Sequence, residues 1–183
     1  MRRISEQTSD ERELTGNQDS EYGFSVSLID TTGFIGAPEA IGPPSVSPGA
    51  VYVRDLRDSD DSNQQKVNPE VPFNGAEFGS DVDAAGTYLV VGSPGYSESL
   101  PTRNGQAEIF RRESGGDYTS LGTIGNPDAT AVLAQFGKSV AVAADGATIA
   151  VGAIGARVAK GGSTTRDFVT TYLFTHTVLA LTQ

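Results

Sequence analysis

The sequence predicts an all-β protein made of three copies of a four-stranded unit, arranged as the blades of a β-propeller. Three observations lead to this fold class. Glycine accounts for 22 of 183 residues, about 12% against a usual value near 7%, which favours many turns between short strands. Apolar residues alternate with period two in several short runs, and no stretch has helical spacing. The third observation is an internal repeat.

The repeat consists of three sequence elements that return in the same order. They read YGFSV, FGSDV and FGKSV at 22–26, 78–82 and 136–140; FIGAP, VVGSP and AVGAI at 34–38, 90–94 and 150–154; and GAVYV, GQAEI and, more loosely, VTTYLF at 49–53, 105–109 and 169–174. Copies one and two align without a gap at an offset of 56. The third copy is offset from the second by 58 residues at Phe136 and by 60 residues at Gly152. The two extra residues lie in a turn, where AADGAT replaces AAGT.

Each copy is interpreted as about four strands. SVAVAA alternates small and β-branched residues, and TIAVGA is almost continuously apolar, as expected for a strand covered on both faces. Asp145-Gly146 suits a tight hairpin turn, and SGGD at 114–117 marks a second hairpin. Four short strands per unit favour propeller blades, because one blade cannot bury both faces of its sheet unless neighbours stack on it.

The predicted organisation is a polar tail or outer strand at 1–21, followed by blade 1 at 22–77, blade 2 at 78–135 and blade 3 at 136–183. Closed propellers have about four to eight blades, so three would leave sheet faces and edges unpaired. We therefore expect an incomplete ring that is completed by oligomerisation, by a partner or by missing sequence.

The repeat resembles the FG-GAP repeat of integrin-α-type propellers over about residues 22 to 174. The residues that carry the resemblance are Phe136-Gly137-Lys138-Ser139-Val140 with Ala150-Val151-Gly152-Ala153, Phe78-Gly79 with Val91-Gly92-Ser93-Pro94, and Gly36-Ala37-Pro38 with Gly49-Ala50-Val51-Tyr52-Val53. The resemblance implies a propeller that usually has seven blades, an extracellular or surface location, and protein binding or adhesion through the loops of one face.

Many blades of that family also carry an Asp-x-Asp-x-Asp-Gly calcium loop between their first two strands. The corresponding turns here keep only Asp30, Asp81 with Asp83, and Asp145. Calcium takes six to eight oxygen ligands, so we interpret these residues as turn formers and expect no metal or cofactor. The acidic run at 54–63 is interpreted as a solvated link between outer strands, because it lacks the glycine and glutamate of a calcium loop.

Composition argues against several classes of partner. The chain has 13 Lys and Arg against 23 Asp and Glu, and its net charge of −10 disfavours nucleic acid and anionic membranes. The first twenty residues have no apolar segment, so no signal peptide is visible, and no membrane insertion is expected. The chain has no cysteine, and its one histidine, His176, falls at a predicted turn away from acids and nucleophiles. We predict no catalytic residue and no enzyme activity.

The loops that follow the second strand of each copy are the longest, and they are rich in Gly, Pro and Ser. Their residues best suited to hold a ligand are aromatic or basic, as in interface hot spots: Tyr96, Arg103, Arg157, Lys160 and Arg166. The basic residues at 153–166 indicate an acidic ligand or a neighbouring subunit.

The sequence therefore predicts a non-enzymatic module for protein–protein interaction or adhesion, with a protein partner or self-association. Three alternatives stay open: a lectin-like propeller that binds glycans, an accessory domain of a larger enzyme, and a structural subunit of a particle. A lectin would need aromatic platforms at one position in every copy. The only such set is Tyr22, Phe78 and Phe136, which we interpret as core.

Overall fold

The computed structural model of the chain describes residues 20–42, 46–58, 64–97, 104–127, 133–155, 159–160, 163–164 and 170–175. All regular secondary structure in these residues is β-strand, which confirms the all-β prediction. They include no helix long and apolar enough to cross a membrane.

Two four-stranded antiparallel sheets come first, each with its strands in chain order. The first sheet contains β1 (Val26–Ile29), β2 (Thr32–Ala37), β3 (Ala50–Asp55) and β4 (Gln65–Val67). The second contains β5 (Asp81–Ala85), β6 (Tyr88–Ser93), β7 (Gln106–Arg112) and β8 (Tyr118–Gly125). The two sheets match the first two repeats strand for strand.

The third sheet has three described strands. It contains β9 (Phe136–Val142), β10 (Thr148–Ala153) and β13 (Thr170–Thr175), with β10 in the middle. Two short strands, β11 (Ala159–Lys160) and β12 (Ser163–Thr164), form a hairpin of their own between β10 and β13. A fourth strand of this sheet would fall after residue 175, outside the described residues. Four strands per repeat is thus confirmed for two sheets.

The predicted hairpin turns are present. Gly146 has a φ of +69° and its N–H donates to the Ala143 carbonyl, while the Asp145 carboxylate accepts from the Ala147 N–H at 2.9 Å. Asp145 is thus a turn former, as interpreted. The 114–117 turn is closed by the Glu113 N–H, which donates to the Asp117 carbonyl at 2.7 Å.

The three sheets stack face to face. One buried apolar cluster joins the first and second sheets and includes Phe34, Val53, Phe78, Val82 and Leu89. A second cluster joins the second and third sheets and includes Val90, Ile109, Phe136, Val140 and Val151. Phe78 and Phe136 are fully buried, as predicted, whereas Tyr22 is partly buried against Tyr52. Stacking therefore supplies the core that a single sheet lacks.

The backbones of neighbouring sheets come into direct contact at glycines. Gly49 bridges to Phe78, and Gly105 bridges to Phe136 in the same way. Gly92 on β6 lies so close to Gly137 that an added Cβ would overlap the Gly137 carbonyl oxygen. Gly36 and Gly79 form the equivalent contact between the first two sheets. Glycine is needed here because the next backbone occupies the space of a side chain.

Carboxylates on β5 hydrogen-bond to the free edge of β9. Asp81 and Asp83 accept from the N–H groups of Val140 and Val142 at 2.7 Å and 2.8 Å. The interpretation of Asp81 and Asp83 as turn formers is therefore wrong, because both residues lie within a strand. Burial raises the pKa of Asp81, although the bond from Val140 opposes this shift. In the first sheet Ser27 occupies the place of Asp83 and its hydroxyl accepts from the equivalent amide of the next sheet.

Candidate protein-binding face

Antiparallel order places two kinds of connection at opposite ends of the sheets. The long loops after β2, β6 and β10 and the two connectors between sheets all emerge at one end. We call this end the loop face, and its described residues are 38–42, 46–49, 68–77, 94–97, 104–105, 126–127, 133–135 and 154–155. The short hairpin turns lie at the other end, which we call the turn end.

Backbone hydrogen bonds hold the loop face in the same way in each repeat. The N–H of Gly95 donates to the Ala76 carbonyl at 3.0 Å, and that of Gly155 donates to the Ala134 carbonyl at 2.9 Å. Bonds also run between sheets, since the Phe78 N–H donates to the Pro48 carbonyl at 2.8 Å. The described parts of these segments are thus tied to the sheets and to one another, so they have little conformational entropy to lose when a partner binds.

Large apolar side chains are exposed on several parts of the loop face. Ile41, Val71, Leu133 and Ile154 are all exposed, and each belongs to a different loop or connector. Phe73 and Tyr96 pack against each other with ring centroids 5.7 Å apart, and so join the first connector to the second loop. The turn end carries Asp30, Asp58, Glu113, Asp117 and Asp145, together with the exposed Leu56. A contiguous apolar patch marks an interaction surface, and the Phe73–Tyr96 pair is the part of the loop face where such side chains are in contact.

A buried carboxyl group holds the connector that carries Val71 and Phe73. Glu108 on β7 is fully buried, and its carboxylate accepts from the Glu70 N–H at 3.2 Å and from the Ser120 hydroxyl at 2.7 Å. Burial raises the pKa of Glu108 to about 7, and the charge of Glu70 adds to the rise while the bond from Ser120 opposes it. The position of this connector therefore depends on an ionisable group.

Of the residues predicted to hold a ligand, the structure gives a side-chain environment for Tyr96 alone. Tyr96 is half-buried on the loop face, and its carbonyl accepts from the Gly105 N–H at 3.0 Å. Lys160 lies on β11 in the hairpin beyond β10, and its side chain is not among those described. Arg103, Arg157 and Arg166 lie outside the described residues, as does His176. A shared site formed by these five residues therefore stays a prediction.

The sequence prediction did not include these exposed apolar residues, because it gave weight to aromatic and basic side chains in the loops after second strands. A usable signal was present in the connectors. EVPF at 70–73 places Val71 and Phe73 in a segment bounded by Asn-Pro and Asn-Gly, where no strand could bury them. Apolar residues inside a predicted turn segment are thus candidates for a binding surface.

Among the residues with described placement, no group of three or more His, Cys, Asp or Glu side chains could hold a metal ion. Comparison with protein-family models gives no match, and comparison with curated proteins gives none either. The resemblance to FG-GAP repeats therefore stays a prediction from the quoted motifs.

Proposed function

We propose that this chain is a non-enzymatic binding module, built as a segment of an FG-GAP-type propeller, that binds a protein partner through the loop face. The observation that carries the proposal is the set of exposed apolar side chains held on loops at one end of the stacked sheets. At the turn end the large exposed side chains of the described residues are charged or polar apart from Leu56. The resemblance extends the proposal to a location outside the cell or at a surface.

The chemistry of the loop face favours a partner with an apolar contact patch. Val71 and Ile41 offer aliphatic surface, and the Phe73–Tyr96 pair offers aromatic surface. Aromatic residues at a packed site are the commonest hot spots in interfaces. A glycan would instead stack on an aromatic ring repeated in each sheet, and the repeated aromatics Phe78 and Phe136 are fully buried.

Replacing Tyr96 by alanine is expected to weaken partner binding about 30-fold, which corresponds to the roughly 2 kcal/mol of an interface hot spot. Val71→Asp is expected to weaken it as well, because a carboxylate would lose water against an apolar patch. Arg57→Ala at the turn end is the control and leaves binding unchanged. Partner capture by proximity labelling, followed by titration calorimetry with the purified partner, measures the affinities.

Two results would contradict the proposal. Equal affinity of the wild type and both loop-face variants would show that the binding site lies elsewhere on the chain. Binding to a glycan array that resists both substitutions would favour the lectin alternative. Thermal denaturation of each variant, compared with the wild type, separates lost binding from lost folding.

A further inference from the structure

The front of the first sheet is apolar, and its equivalent in the second sheet is covered. Val26 and Leu28 on β1 are 70% and 59% exposed. The residues at the same repeat positions, Val82 and Ala84, are 4% and 9% exposed because the first sheet packs on them. No described residue covers Val26 and Leu28, which with Leu56 border an apolar groove of about 290 Å³.

The back of the third sheet shows the other half of the same pattern. Leu173 on β13 pairs with Ala150, as Ile109 on β7 pairs with Val90. Ile109 is 6% exposed because the third sheet packs on it, whereas Leu173 is 71% exposed. The two ends of the stack thus carry the two complementary halves of an interface that is used twice inside the chain.

The backbone at the front of the stack has the conformation of the internal joints. Gly79 and Gly137 have φ values of +95° and +90°, and a Cβ on either would meet a carbonyl oxygen of the preceding sheet. Gly23, at the same repeat position, has a φ of +92° and no atom within 4 Å of its ideal Cβ. The backbone at Gly23 thus has the conformation found at the two internal joints, but no described residue of another sheet lies against it.

The back of the stack has the matching glycine. Gly36 and Gly92 each meet the carbonyl of the glycine in the next sheet. Gly152 is their equivalent, and the three atoms nearest to its ideal Cβ all belong to Ser139 of its own sheet. Gly152 at the back of the stack and Gly23 at its front therefore correspond to the two glycines that meet at each internal joint.

We propose that two copies of this chain associate head to tail through these end faces and close a ring of six sheets. The back of the third sheet in each copy packs on the front of the first sheet in the other, with Leu173 against Val26 and Leu28. An interface between different faces gives a ring where the rotation between copies closes and an open filament where it does not, and closed propellers hold about four to eight sheets. Two copies of three sheets fall in that range, and three copies exceed it. The proposal rests on the propeller architecture proposed above but not on binding at the loop face.

The test is the solution mass of three variants of the full chain, measured by light scattering and sedimentation over a range of concentrations. Leu28→Lys blocks the front and Leu173→Glu blocks the back, and both changes are on exposed side chains. Val71→Lys on the loop face is the control. The wild type and the control are expected at twice the 19.1 kDa chain mass, and each end-face variant at 19.1 kDa.

Mixing the two end-face variants gives the decisive result. In a mixed dimer one joint has an unmodified front and an unmodified back, and the other places the introduced lysine opposite the introduced glutamate. A species of twice the chain mass is therefore expected to return. A wild type of 19.1 kDa at every concentration, or a mixture that stays monomeric, would overturn the proposal. Circular dichroism of each variant shows whether it folds. A monomer that still binds a partner through Tyr96 and Val71 would overturn the ring and leave the proposed function intact.

Discussion

Replacing Gly92 by alanine is expected to lower the free energy of unfolding by about 3 kcal/mol, at the upper end of the cost of overpacking. Gly92 lies on β6 in the interface between the second and third sheets. A Cβ there would overlap the carbonyl oxygen of Gly137. The obstacle is backbone, which cannot rotate away as a side chain can, so the two sheets must separate locally. Chemical denaturation of both proteins measures the difference.

Gly152→Ala is the matched control, because Gly152 occupies the position of Gly92 in the third repeat. Its added Cβ would meet the hydroxyl of Ser139, an exposed side chain that can change rotamer. We expect a stability within about 1 kcal/mol of the wild type, measured at concentrations where the chain is monomeric. An equal loss in both variants would show that the contact between sheets is not the cause.

The second large effect is a dependence of stability on pH that originates at Glu108. Its pKa is raised from 4.5 to about 7. Between these two pH values the carboxyl group is protonated in the folded state and ionised in the unfolded state. The stabilisation is complete below pH 4.5 and is lost as the pH rises through 7. Each pKa unit corresponds to about 1.4 kcal/mol, so the loss is roughly 3 kcal/mol. The groups that face the carboxyl are the Glu70 N–H, the Glu70 carboxylate and the Ser120 hydroxyl.

Glu108→Gln tests the assignment, since an amide oxygen can still accept from Glu70 and Ser120 without titrating. We expect denaturation midpoints to fall between pH 5 and pH 8 in the wild type and to fall much less in this variant. Glu113→Gln removes the same charge at an exposed turn and is expected to keep the wild-type slope. A wild-type slope that persists in Glu108→Gln would assign the effect to other groups, such as Asp81, whose pKa is also raised by burial.

Much of the fold could be predicted because small residues, mainly glycine, recur at the same positions of each repeat. Gly36, Gly92 and Gly152 mark the second strand of each sheet, and Phe78 and Phe136 mark the core. Backbone contact between sheets tolerates only glycine at such points, so the spacing of the glycines reflects the spacing of the joints.

Other features depend on contacts between residues far apart in sequence. Asp81 and Asp83 look like turn residues until the edge of β9 is placed beside them, 59 residues away. The sequence does not distinguish Glu108 from other charged residues on strands. The folded chain buries its side chain and places it beside Glu70 and Ser120. The loop face could not be predicted from the sequence either, because its exposed side chains come from segments that only the stacking of the sheets brings to one end.

Amide hydrogen exchange at Val140 and Val142, followed by NMR, tests the stacking of equivalent sheets most directly. Their N–H groups donate to Asp81 and Asp83 of the second sheet rather than to a strand of the third. The account predicts that both amides exchange as slowly as the amides paired between β9 and β10. Exchange of both amides at the rate of exposed loop residues would show that the third sheet does not lie against the second, and would contradict the account.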